Sequence, residues 1–123
     1  MLQQLKTELG DLNEINFALQ LMRADTLTEK DGDKLERNIV GLLTYLFSLD
    51  VELNKREVDF KKEMIDSVDE NGKKYPANRI SIEWESTDNG KRRFKLKNQI
   101  KIVEEQLKSV RNYNYFLRSE KKL

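Results

Sequence analysis

The chain contains neither cysteine nor histidine. That pair of absences excludes disulfides, thiolate nucleophiles, imidazole bases and nearly all zinc, copper or haem sites together. Nor is there a long apolar run: no unbroken stretch exceeds four residues, against the roughly 20 needed to cross a bilayer. The N-terminal residues also lack a basic segment followed by an apolar one. The expectation is a cytoplasmic protein with no membrane partner, no metal and no cofactor. What the 123 residues do hold is 37% apolar and 37% charged side chains, a balance that suits elongated helices better than a deep enzyme-like core. The length fits one domain spanning 1–123.

Charge is unevenly placed behind a net +1. Residues 1–70 carry 9 Lys+Arg against 16 Asp+Glu, a net of −7, and residues 71–123 carry 14 against 6, a net of +8. Such asymmetry either neutralises itself when the two parts pack or leaves a basic face for a partner.

Leu2, Leu5, Leu9, Leu12, Ile15, Leu19 and Met22 recur at steps of three and four and predict a helix over about 2–24. Gly10-Asp11, with Glu14 three residues after the aspartate, offers a place to kink or restart. Thr26, Thr28, Asp31 and Gly32 mark a connector and the next helix start. Leu35, Ile39, Leu42, Leu46, Leu49, Leu53, Phe60 and Met64 then predict a helix over about 29–66, packed antiparallel on the first. Residues 1–66 thus read as an acidic helical hairpin.

Asn71-Gly72 and Pro76 end the helical period. Residues 67–97 read as a basic turn region followed by a β-hairpin. Ile80, Ile82 and Trp84 alternate, Asp88-Asn89-Gly90 supplies a three-residue loop, and Phe94 and Leu96 alternate again. That loop opposes Trp84 to Phe94 and Ile82 to Leu96, and on the other face Glu85 to Arg93 and Glu83 to Lys95. A last helix is expected over 98–120, with Asn98 as cap, apolar Ile100, Val103, Leu107, Val110 and Leu117, and Asn114 in an apolar slot. The predicted fold is therefore mainly α with a β-hairpin, an antiparallel long-helix, coiled-coil-like bundle in the order helix, helix, hairpin, helix. In layout alone, the order helix, hairpin, helix is similar to prefoldin subunits; the extra N-terminal helix has no counterpart there, and no residues carry over.

Motifs for catalysis do not occur: GxxxxGK[ST], GxGxxG, GxSxG and HExxH are all missing. Asp31-Gly32-Asp33 and Asp69-Glu70-Asn71-Gly72 resemble calcium loops, but an EF-hand register would require ligation by Leu27 and Asn38, or by Ser67 and Asn78. Capping and turn chemistry accounts for both. Two surfaces remain. Leu43, Phe47, Tyr113, Tyr115 and Phe116 widen the apolar faces beyond one stripe and are candidates for a protein interface, self or other, with a homo-oligomer expected. Lys73, Lys74, Arg79, Lys91, Arg92, Lys97 and Lys101, near Tyr75 and Trp84, are candidates for nucleic-acid contact through the hairpin and the last helix. The leading expectation is a non-catalytic interaction module, an oligomeric adaptor or inhibitor. The alternative is a nucleic-acid-binding accessory protein, and a third reading, an acidic mimic of a phosphate backbone, is opposed by Lys55, Arg56, Lys61 and Lys62.

Overall fold

A computed structural model describes the backbone of residues 2–121 and the side chains of 13–120. The described residues form four helices, α1 (Leu2–Arg23), α2 (Glu29–Ile65), α3 (Ala77–Ser86) and α4 (Asp88–Lys121). Among the described residues there is no strand; a single isolated bridge joins Val68 and Lys74. The described chain forms two compact units, one of residues 1–45 and 101–123, the other of residues 46–100.

In the first unit, α1 runs through Gly10-Asp11 without a break. The side chains of Leu2, Leu5, Leu9 and Leu12 lie outside the described residues; from the rest of the stripe, Ile15 and Leu19 are buried. Helix α1 stops because Asp25 turns left-handed, with φ 57°. The amide of Asp25 donates to the carbonyl of Met22 and that of Thr26 to the carbonyl of Leu21, the paired bonds of a Schellman ending. Thr28 then caps α2, its Oγ1 accepting from the Asp31 amide at 3.2 Å. Leu27, Leu35, Ile39 and Leu43 from the connector and α2 are buried, as are Val103, Leu107 and Val110 from α4.

Asn114 takes the next inward position on α4 and is fully buried. Its Nδ2 donates to the Gly32 carbonyl at 2.9 Å and to Glu36 at 3.3 Å. A Cβ at position 32 would collide with Asn114 Oδ1, so the glycine exists to admit the amide. A polar residue in an apolar seam fixes register at some cost in stability, and Arg118 to Asp33 at 3.0 Å and Arg111 to Glu36 at 3.9 Å extend the same antiparallel alignment. Gly32→Ala is expected to lose about 1–3 kcal/mol from overpacking, although helix propensity alone would favour alanine by about 1 kcal/mol. In an Asn114→Ala background the loss should shrink by 1 kcal/mol or more, within the roughly 0.5–3 kcal/mol range of contacting pairs. Urea denaturation of the four proteins of this cycle measures the coupling, and additive effects would refute the contact.

In the second unit, Leu46 of α2, Ile80 and Trp84 of α3, and Leu96 and Ile100 of α4 are buried. The Trp84 and Phe60 rings lie 5.7 Å apart, centroid to centroid, at 52°. The predicted β-hairpin is absent. Residues 80 and 84 are one helical turn apart and both face inward, whereas Ile82, which strand alternation would place beside them, is 60% exposed and Phe94 is 69% exposed. The cluster of Trp84, Phe94, Ile82 and Leu96 therefore does not form. The Glu85 to Arg93 and Glu83 to Lys95 pairings of the strand register are replaced by helix, and the hairpin's removal also ends the layout likeness to prefoldin subunits.

A helical corner stands where the hairpin loop was expected. Thr87 has extended backbone, φ −72° and ψ 157°, and joins α3 to α4 as a single residue. Its Oγ1 accepts from the Gly90 amide at 3.0 Å and donates to the Trp84 carbonyl at 2.6 Å, closing one helix and capping the next. Gly90 is needed here for close approach: a Cβ would run into the Trp84 carbonyl and come within 3.1 Å of Glu85 Cα. With Asp88 now in the first turn, α4 begins ten residues before the predicted 98.

Candidate interaction surfaces

Arg93 is the best-partnered cation of the second unit. Its Nε meets Asp50 Oδ1 at 3.1 Å and its Nη1 meets Glu57 Oε1 at 3.2 Å and Asn54 Oδ1 at 2.9 Å. The three acceptors are spaced four and three residues apart along one edge of α2, so the arginine clamps α4 to α2 and is spent structurally. Arg79 is also occupied. It stacks 5.0 Å over the Tyr75 ring and lies 4.0 Å from Asp69 and from Glu70. Asp69 organises the 66–76 loop by accepting from the amides of Asn71 and Lys73 at 2.8 and 2.9 Å, and Gly72 supplies the left-handed turn at φ 78°.

The remaining candidates for nucleic-acid contact sit on different elements. Lys73 and Lys74 lie on that loop, and Lys91 and Arg92 sit in the first turns of α4. Lys97 lines a cleft with Trp84, Phe94 and Arg93, and Lys101 belongs to the other unit. The common hairpin platform that grouped them is missing.

The apolar candidates divide as well. Leu43 is buried in the first unit's own core. Tyr113 is half-buried, and its hydroxyl donates to the Leu27 carbonyl at 2.9 Å. Burial raises the Tyr113 hydroxyl's pKa, Asp25 adds to the rise by charge and hydrogen bonding, and Glu120 adds a little more. Tyr115 and Phe116 are well exposed, as is Phe47.

Phe47 is not alone. Val51, Val58 and Ile65 follow it on α2 at spacings of four, seven and seven, and at 3.6 residues per turn all four fall within an arc of about 40°. All are exposed, by 42 to 58%. They form a stripe about 27 Å long at 1.5 Å per residue, on a different face from the buried Leu46 and the half-buried Leu49, Leu53, Phe60 and Met64. The heptad spacing of Val51, Val58 and Ile65 was available in the sequence, yet the inward stripe has the same period and masks it.

Among the described residues, no three carboxylates converge to hold a metal ion, and no helix is long and apolar enough to cross a membrane. No protein-family model, curated protein or solved structure matches this chain.

Proposed function

We propose that the protein is a non-catalytic protein-protein interaction module, an oligomeric adaptor or inhibitor working in a cytoplasmic setting, and that its first partner is a second copy of itself. The exposed stripe of Phe47, Val51, Val58 and Ile65 carries this reading. Inward packing already occupies the other face of α2 and leaves the stripe about half open to solvent, and β-branched residues at heptad spacing are the side chains that helix-helix seams use. An unmet apolar stripe of this kind on a charged surface marks a binding face.

A second α2 laid antiparallel fits the stripe. With Ile65 of one copy opposite Phe47 of the other, Lys55 comes within reach of the other copy's Asp59, and symmetry makes the pair twice. Lys62 meets the other copy's Glu52 in the same register. Such flanking pairs govern orientation more than strength. Sedimentation equilibrium over a hundredfold concentration range is expected to give masses rising from 14.6 kDa toward twice that value. Phe47→Ser with Val58→Ser should hold the mass at that of the single chain, with the helical circular dichroism unchanged. A single species of one chain's mass throughout the wild-type series would remove self-association and leave the stripe to a different helical partner.

A further inference from the structure

A second binding feature lies in the first unit, between the end of α1 and the last turns of α4. A cavity of about 320 Å³ is lined by Asp25, Asn112, Tyr113, Phe116, Leu117 and Glu120. Its chemistry is lopsided. Two carboxylates and two aromatic side chains line a space to which, among the described residues, no lysine or arginine contributes. Among the described residues, neither Asp25 nor Glu120 forms an ion pair, whereas the nearby Arg118 and Arg111 are engaged with Asp33 and Glu36.

The walls are held by the backbone. Asp25 is fixed in its left-handed conformation by the Schellman bonds that end α1. Tyr113 is tethered through its hydroxyl to the Leu27 carbonyl. Phe116 and Leu117 follow on α4 and supply apolar surface, Phe116 largely open to solvent. Two like charges near one cavity repel each other, and a cation between them relieves that repulsion. An aromatic face within about 6 Å adds an attraction for the same cation. Leu117 offers packing for an alkyl stem.

We propose that this cavity binds an alkyl guanidinium or ammonium group, the end of an arginine or lysine side chain, with Asp25 and Glu120 as counter-ions and Tyr113 and Phe116 as the aromatic walls. A peptide bearing the residue and a free amino-acid derivative present the same group, so size of probe separates the two sources. Burial is the main cause of the raised pKa of the Tyr113 hydroxyl, and the charges of Asp25 and Glu120 add to it; a cation between the two carboxylates should bring that pKa down.

The test is an NMR titration of the full chain with acetyl-arginine amide, acetyl-lysine amide and, as the neutral isostere, acetyl-citrulline amide. A tripeptide with arginine at its centre forms the fourth arm. Saturable shifts at the Tyr113 and Phe116 ring protons are expected with the two cations in the millimolar range and not with citrulline. The tripeptide should bind more tightly if peptides are the source, and no better if a free small cation is. Asp25→Asn with Glu120→Gln should weaken binding at least tenfold. Asparagine tolerates the left-handed backbone at position 25, so the fold is expected to survive. An ultraviolet pH titration, with Tyr113→Phe as reference, should show the Tyr113 pKa falling when acetyl-arginine amide is present. No saturable shift for either cation up to 100 mM, or citrulline binding as well as arginine, would overturn the proposal. Undiminished binding by the double variant would do the same.

Discussion

Trp84→Ala is expected to remove about 3–5 kcal/mol of unfolding free energy, the range for deleting a large buried aromatic. The indole is only 6% exposed and tilts against Phe60, so truncation leaves a void lined by Phe60 and by whatever else the second unit presses on α3. A chain of this size has a total stability of roughly 5–15 kcal/mol, and such a loss takes a large part of it. Phe94→Ala is the matched control. In a strand register it would stand opposite Trp84 and cost nearly as much; on α4 it points to solvent and should change stability by no more than about 0.5 kcal/mol. Urea unfolding followed by far-ultraviolet circular dichroism measures both without relying on tryptophan emission. Equal losses for the two variants would restore the hairpin.

The second large effect is expected at Gly90→Ala, where two rules predict opposite signs. Glycine in a helix is disfavoured relative to alanine by about 1 kcal/mol, so propensity alone forecasts stabilisation. The Cβ would, however, strike the backbone carbonyl of Trp84, and backbone cannot rotate aside as a side chain can. Opening the corner would also pull apart the two hydrogen bonds of the Thr87 hydroxyl. A net loss of about 3 kcal/mol, at the upper end for overpacking, is expected, seen as a lower urea midpoint. Asn89→Ala, one residue earlier, is the comparison and should stay within about 1 kcal/mol of wild type. Stabilisation by Gly90→Ala would mean that α3 and α4 do not approach as closely as described.

These two residues show where the sequence is legible and where it is not. Helices α1 and α2 could be read because one apolar stripe, one capping threonine at 28 and the Asp25 connector all point the same way. Residues 80–96 fit two periods at once. Ile80 and Trp84 satisfy both a strand's alternation and a helix's four-residue step, and only Ile82 and Phe94 separate the alternatives, by being outside. The steps from Leu96 through Ile100, Val103, Leu107 and Val110 to Asn114 are four, three, four, three and four. The helical period therefore already reached back into the supposed second strand. Asp88-Asn89-Gly90 was the misleading part. A glycine after Asp-Asn normally signals a left-handed turn, but here the missing Cβ serves contact between two helices, which a linear pattern does not distinguish. For the surfaces, Phe47, Tyr115 and Phe116 were legible as surplus apolar residues, whereas Leu43 and Tyr113 are absorbed by packing that composition alone does not assign.

Asn114 and Gly32 are 82 residues apart in the chain, yet neither can change freely while the other stays. A larger residue at 32 has room only if 114 shrinks, and an aliphatic residue at 114 leaves the Gly32 carbonyl without its amide donor. Lineages that drift from this sequence while keeping the fold are therefore expected to substitute the two together more often than singly. In an alignment of such descendants they should stand out as a linked pair of columns. The pair would serve as a marker for recognising distant members of the fold after the charged surface has diverged beyond comparison.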